Sequence, residues 1–217
     1  MIEVAKTILD RVTNLRNRGR VGALGQFYCG GGNELLVSNL VLPPDSYVID
    51  AGGYEGEWTD EMLCRYGVTS TIYEPNPPNA AFLRERYAYN LRVKVIEAAL
   101  WNRDGEWAFI QQGSGSTLTS LSPNTIMVRV VDAKRVVNAP FGCIKLNVEG
   151  AEYDILEKLI EFNRVKDIKY ILVQFHQGPN CNRRREKIQL GLSLTHTCVF
   201  DYPFVWELWK LKPSWHT

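Results

Sequence analysis

The chain lacks the marks of several common protein classes. Its five cysteines (Cys29, Cys64, Cys143, Cys181 and Cys198) are scattered, odd in number, and contain no C-x-x-C pair. That excludes a disulfide framework or a cysteine zinc knuckle as the organising device, and reads as a reduced, cytoplasmic chain. No apolar run approaches the ~18 residues of a membrane span. The opening M-I-E-V-A-K-T-I-L-D has no long apolar core of the secretory kind. Charge of one sign is missing too: 25 basic against 24 acidic residues leave a formal net charge of +1. Such balance argues against a chain devoted to nucleic acid or a membrane surface. The dinucleotide signature G-x-G-x-x-G is absent, and none of the ten tyrosines has a lysine four residues on, as short-chain reductases require. There is no internal repeat, no low-complexity tract and no linker.

What remains is ordinary soluble-domain composition, with 45% apolar and 23% charged residues over 217 positions. One domain with a sizeable core is expected. The stretch Tyr47–Gly56, Y-V-I-D-A-G-G-Y-E-G, organises the rest. Tyr47, Val48 and Ile49 suit a buried strand, which ends in Asp50, Ala51, Gly52 and Gly53 before a helix begins near Glu57. A strand, glycine turn and helix start leave backbone N–H groups facing a cleft, and glycine keeps side chains from blocking a ligand there. Ile72-Tyr73-Glu74 then puts an acid at the end of a second strand. An acid about 20 residues past such a turn suits ribose hydroxyls. Asp50 inside the turn would repel a pyrophosphate, so a cofactor with a cationic amino-acid end, S-adenosylmethionine, fits better than a dinucleotide.

Elsewhere, Val4, Ile8, Val12 and Leu15 predict an amphipathic helix from Met1 to about Arg18. Gly19 to Gly32, glycine-rich with Phe27 and Tyr28, predicts a loop able to lie over a pocket. A helix is expected from Asn33 to Leu40, stopped by Pro43-Pro44. Helices over Glu57–Tyr66 and from Pro77 to about Tyr89 alternate with strands over Val68–Glu74 and Val93–Ile96. Small residues at the edge after Ile96 leave room for a flat base, expected near Ala98, Ala99 and Leu100. Asp104-Gly105 reads as a hairpin turn, and Ile126–Val131 as an additional strand. Phe141–Asn147 and Tyr170–Phe175 are further strands, each followed by a helix, and Tyr202–Trp209 a returning C-terminal strand. The alternation predicts an α/β, doubly wound, mostly parallel sheet with helices on both faces.

Six stretches together resemble the FkbM family of S-adenosylmethionine-dependent methyltransferases, which have a Rossmann-like fold. They are V-I-D-A-G-G-Y-E-G at Val48–Gly56, Y-E-P-N-P at Tyr73–Pro77, E-A-A-L at Glu97–Leu100, G-S-G-S-T-L at Gly113–Leu118, I-K-L-N-V-E-G-A-E at Ile144–Glu152 and V-Q-F-H at Val173–His176. The resemblance implies one compact methyltransferase domain over residues 47–217, with residues 1–46 as a helical and loop cap. It implies methyl transfer to an oxygen, often on a sugar or polyketide. The cofactor set it implies is Asp50, Ala51, Gly52, Gly53, Tyr54 and Gly56 on the turn, Glu74, Pro75 and Asn76, then Ala98, Ala99, Leu100 and Ser116. Asp50 is expected at the methionine end and Glu74 on the ribose. The family usually has aspartate where this chain has Asn147, and often glutamate at Gln174, so no divalent metal is expected.

His176, following a core strand at its carboxyl edge, is the first candidate for the base that takes the acceptor's proton. Glu149 is the second, ahead of Glu152, which suits the start of its own helix. Asn147 has no basic lone pair and is left to orient the acceptor. Arg183-Arg184-Arg185 reads as a solvated helix face, with anion binding the alternative. The acceptor expected is a small molecule, a sugar or nucleotide sugar, with no nucleic acid and no membrane partner. A cofactor-binding module without catalysis is the second reading, and a nicotinamide-dependent oxidoreductase the third.

Overall fold

The computed structural model describes residues 20–110, 117–118 and 125–213. The helix expected before Arg18 and the polar loop carrying Ser116 lie outside them.

A helix over residues 20–29 (α1) is followed by a 3₁₀ turn and α2 (Leu35–Ser38). Next come β1 (Tyr47–Ala51), α3 (Glu57–Tyr66), β2 (Thr69–Tyr73), α4 (Pro77–Arg86) and β3 (Val93–Ile96). Four strands, β4 (Ala99–Trp101), β5 (Gly105–Ile110), β6 (Thr117–Leu118) and β7 (Thr125–Asp132), lead to α5 (Ala133–Val136). Then β8 (Phe141–Leu146), α6 (Glu152–Glu161), β9 (Ile168–Val173) and α7 (Cys181–Ser193) precede the last pair, β10 (His196–Tyr202) and β11 (Trp206–Leu211).

Seven strands form the main sheet in the order β10-β11-β9-β8-β1-β2-β3. The five from β9 to β3 run parallel, and β11 is antiparallel to both of its neighbours. From β1 the chain winds outward to β2 and β3, then returns to place β8 on β1's other side. The β1/β8 boundary is therefore the switch point where open α/β sheets hold ligands, at the carboxyl ends of the strands. Strand alternation divides the core. Ile49, Ile144 and Ile171 face one layer with Ile155 and Leu159 of α6 and Ile188 of α7. Val48, Cys143 and Leu172 face the other, with Phe27 of α1, Leu36 of α2 and Met62 of α3. Helices thus cover both faces, as the alternation predicts.

Three expectations are corrected. The loop expected over Gly19 to Gly32 is helical through residues 20–29. Gly22 and Gly25 lie on its exposed side, while Ala23 and Phe27, four apart, are buried against the sheet. Burying a phenylalanine outweighs a helix penalty of about 1 kcal/mol per glycine. Asp104-Gly105 is no two-strand hairpin, because β7 lies between β4 and β5 in a second sheet ordered β4-β7-β5-β6. Asp104 instead accepts from the backbone N–H of Asp132 and from Arg135. The C-terminal strand is a pair, since β10 precedes β11 on the sheet edge.

Candidate functional site

β1 ends at Ala51, and the chain turns through Gly52–Gly56 into α3. Gly52 (φ 81°) and Gly56 (φ 87°) are both left-handed. A Cβ on Gly52 would lie 1.9 Å from the backbone oxygen of Asn147. Glycine there is therefore demanded by the neighbouring strand's exit, where clearance for a ligand was the expected reason. Tyr54 is left-handed as well (φ 50°), an uncommon state for a tyrosine. Its N–H donates to Glu74 Oε2 at 2.9 Å, and the N–H of Asn76 donates to Oε1 at 2.9 Å. The Glu74 carboxylate thus reaches back across the sheet edge and ties the turn to the exit of β2. Burial raises its pKa, and those two hydrogen bonds offset only part of the rise.

Asp50 lines neither pocket described below. It is fully buried, with Oδ1 2.7 Å from Lys145 Nζ and Oδ2 accepting from the Thr59 hydroxyl at 2.8 Å. The two charges sit in register on adjacent parallel strands. Lys145 Nζ also donates to the Gly52 carbonyl at 2.9 Å. The Asp50 carboxylate, expected at a cofactor's methionine end directly or through water, is engaged in this internal ion pair.

Two pockets open at the switch point, and share Gly52, Tyr54 and Asn147. The first has Glu74, Pro75 and Asn79 on one side, Ala99, Leu100 and Phe109 on another, and Val148, Glu149 and Ala151 on a third. The second, about 620 Å³, has Lys145, Trp58 and Trp206 in its wall, with Gly53 and the carboxylates of Glu34, Glu55, Glu57, Asp60 and Glu61. Of the expected cofactor set, Gly52, Gly53, Tyr54, Glu74, Pro75, Ala99 and Leu100 line a pocket. Ala51, Gly56, Asn76 and Ala98 line neither; Asn76 precedes α4 and Gly56 precedes α3. Ser116 lies outside the described residues. Asn147 lines both pockets, and its Oδ1 is buried with no hydrogen-bond donor. A buried acceptor left without a donor costs about 1–3 kcal/mol, so it marks where a ligand's N–H or O–H would be welcome.

His176 lines neither pocket. Its Nε2 is 3.3 Å from Glu149 Oε2 and its Nδ1 is 3.3 Å from Glu152 Oε1, while its N–H donates to that same Glu152 oxygen at 2.7 Å. Burial by itself would lower the imidazole pKa. Hydrogen bonds to Glu149 and Glu152, with their charges, outweigh it and raise the value to about 9. That direction favours the imidazolium, the form without a lone pair for a substrate proton. The expected base thus sits behind Glu149, with a carboxylate at each ring nitrogen. Glu149 stands between His176 and the first pocket, in left-handed backbone (φ 51°). Glu152 is fully buried and also accepts from the N–H of Gly150 at 2.8 Å, so it braces the loop.

The residues missed by sequence reasoning are chiefly Lys145, Trp58 and Phe109. Only Lys145 carried a signal: a lone cation within the apolar strand F-G-C-I-K-L, two residues before Asn147. Two of the three arginines of α7 are also accounted for. Arg184 pairs with Asp154 and Glu157, and Arg185 with Asp201 and Glu207. Among the described residues no cluster of three or more His, Cys, Asp or Glu has metal-binding geometry, and no helix is long and apolar enough to cross a membrane.

No protein-family model and no curated protein sequence matches the chain. Solved structures match it in fold. A protein titled "putative rRNA-methylase" from Clostridium thermocellum has 13% identity and a TM-score of 0.50, over 88% of this chain and 97% of that one. Precorrin-6y C5,15-methyltransferase from Geobacter metallireducens GS-15 has 13% identity and a TM-score of 0.47, over 82% and 86% of the two chains. The cyclopropane synthase MmaA2 from Mycobacterium tuberculosis has 14% identity and a TM-score of 0.40, and the match spans 45% of its length and 73% of this chain. At such identities the likeness is one of fold.

Proposed function

We propose that this protein is an S-adenosylmethionine-dependent methyltransferase acting on a hydroxyl of a sugar or other small molecule. The observation that carries the reading is Glu74. Its two oxygens hold the N–H groups of Tyr54 and Asn76 in the wall of a pocket at the sheet's switch point. Each carboxylate oxygen has a second lone pair, which suits the two hydroxyls of a ribose. Ala99, Leu100 and Phe109 offer an apolar wall for a base, and the unpartnered Asn147 Oδ1 offers an acceptor to an amino-acid end. The residues therefore fit the cofactor, and the stretches resembling the FkbM family agree with them.

When bound, S-adenosylmethionine supplies an electrophilic methyl group on a sulfonium. The chain's part is alignment of acceptor, methyl and sulfur, worth up to about 7–11 kcal/mol in well-oriented reactions. The second pocket, joined to the first at Gly52, Tyr54 and Asn147, is our acceptor site. Trp58 and Trp206 give it an apolar wall, and its acidic lining favours an uncharged sugar over a nucleotide sugar or a nucleic acid. The acceptor's proton passes to Glu149, which lines the first pocket along with Glu74, while protonated His176 behind it fixes its position.

The test is turnover to S-adenosylhomocysteine with a panel of hydroxyl acceptors, alongside calorimetry. Cofactor binding with turnover supports the reading. Binding without turnover for every acceptor would favour the cofactor-binding module, and preferential NAD binding would overturn the class.

A further inference from the structure

Lys145 is a buried cation that the reaction above leaves unused. Its ammonium carries three N–H groups, of which Asp50 Oδ1 at 2.7 Å and the Gly52 carbonyl at 2.9 Å take two. The side chain is 8% exposed, and that part lines the second pocket, with the Trp58 ring centroid 6.0 Å from Nζ. Among the described residues that line the two pockets, Lys145 is the one lysine or arginine. Two positions further along the chain, Asn147 lines both pockets and holds its buried, donorless Oδ1. Both side chains border the Gly52 turn, where the pockets meet.

An acceptor for the third Lys145 N–H and an N–H donor for Asn147 Oδ1 would complete this pair. We propose that Lys145 and Asn147 read the α-amino-acid end of the cofactor: the Lys145 ammonium binds its carboxylate, and Asn147 Oδ1 accepts from its ammonium. The proposal rests on the methyltransferase reading. Asp50 is then a positioning residue that touches no ligand. It compensates the charge of a lysine that would be costly to bury alone, and aims it at the turn.

Two ligands with the same thioether nucleoside separate this role from a structural one. S-adenosylhomocysteine has the amino-acid end, and 5′-methylthioadenosine lacks it. A charge-assisted hydrogen bond is worth about 1.5–3 kcal/mol, so calorimetry on Lys145→Met should show about a ten- to hundredfold loss for the first ligand. The second should change by less than about twofold. Because Lys145→Met leaves Asp50 buried and unpaired, the double variant Asp50→Asn/Lys145→Met is measured beside it, with both charges removed. Asp50→Asn alone keeps the ammonium and should keep most of the preference for S-adenosylhomocysteine. A preference that survives in the double variant overturns the proposal. So does one lost equally in Asp50→Asn, which would reduce Lys145 to half of a structural pair. Wild-type protein that binds 5′-methylthioadenosine as tightly as S-adenosylhomocysteine overturns this assignment alone. Binding of neither overturns the methyltransferase reading and the assignment with it.

Discussion

His176 Nε2 lies 3.3 Å from Oε2 of Glu149, and this contact joins a partly buried imidazole to the lining of the first pocket. With Glu152 on the other ring nitrogen, the imidazole is held protonated, its pKa raised from 6.5 to about 9 despite burial. A folded value above the unfolded one stabilises the fold fully below about pH 6.5, and the contribution fades as pH rises through about 9. It amounts to at most about 3 kcal/mol. His176→Gln should therefore melt lower than wild type at pH 6, and the gap should close above pH ~9. A gap that widens with pH would show that the ring is neutral. The wild-type rate should likewise lack an acid limb near a free histidine's pKa.

His196 should act with the opposite sign. Burial lowers its pKa to about 4, although its Nε2–H donates to the Ile168 carbonyl at 2.9 Å. Its contribution is present above about pH 6.5 and lost as pH falls through about 4. Thermal melts of His196→Gln and wild type should converge across that window. Melts that stay parallel from pH 7 to pH 4 would refute the neutral assignment.

The main sheet was legible because its central strands are short apolar runs ending in glycines or acids, with helices between them. The edge strand β10 was not: in H-T-C-V-F-D-Y only His196 is fully buried, so no alternation marks it. The second sheet was hidden for another reason, since β4 pairs in parallel with β7, a partner some 30 residues later in sequence. At the site, the placement of the glycine turn beside Glu74 could be read from spacing. What Asp50 and His176 do could not, because both are decided by partners from other strands and loops. Asp50 meets Lys145 through strand register, and His176 meets Glu149 and Glu152 across the β8–α6 loop. Helix α1 formed against its glycines because Phe27 had a core to enter.

Gly52→Ala should be among the most damaging single substitutions. A left-handed backbone disfavours any side chain, and the new Cβ would sit 1.9 Å from the Asn147 backbone oxygen. A loss of at least about 3 kcal/mol is expected, or a melting point lower by ~6–12 °C. Gly22→Ala, where nothing lies within 4 Å, should be neutral or stabilising. A Gly52→Ala protein with wild-type melting would refute the close approach of the two strand exits.

Glu74→Gln should be harmful although it keeps shape and polarity. Both carboxylate oxygens accept backbone N–H groups, so an amide must set its own NH₂ against one of those donors. Affinity for S-adenosylhomocysteine and for 5′-methylthioadenosine should fall together, by about ten- to hundredfold, because the shared nucleoside is affected. A loss confined to S-adenosylhomocysteine would move Glu74 away from the ribose.

The acceptor pocket should reject phosphate. Glu34 is paired with Arg65 and Asp60 with Arg86, but Glu55, Glu57 and Glu61 in the same lining make no ion pair among the described residues. At ~10 Å in water each unpaired carboxylate repels a unit negative charge by about 0.4 kcal/mol, so three together amount to roughly tenfold in affinity. A phosphorylated acceptor should then show a KM at least about tenfold above that of its uncharged counterpart, and added salt should narrow the difference by screening. The triple variant Glu55→Gln/Glu57→Gln/Glu61→Gln should bring the two KM values together. Tight RNA binding by the wild type would count against the assignment, since a chain that neutralises no phosphates gains nothing from counterion release. A phosphorylated acceptor preferred by the wild type, with that preference intact in the triple variant, would show that the acceptor enters by another route.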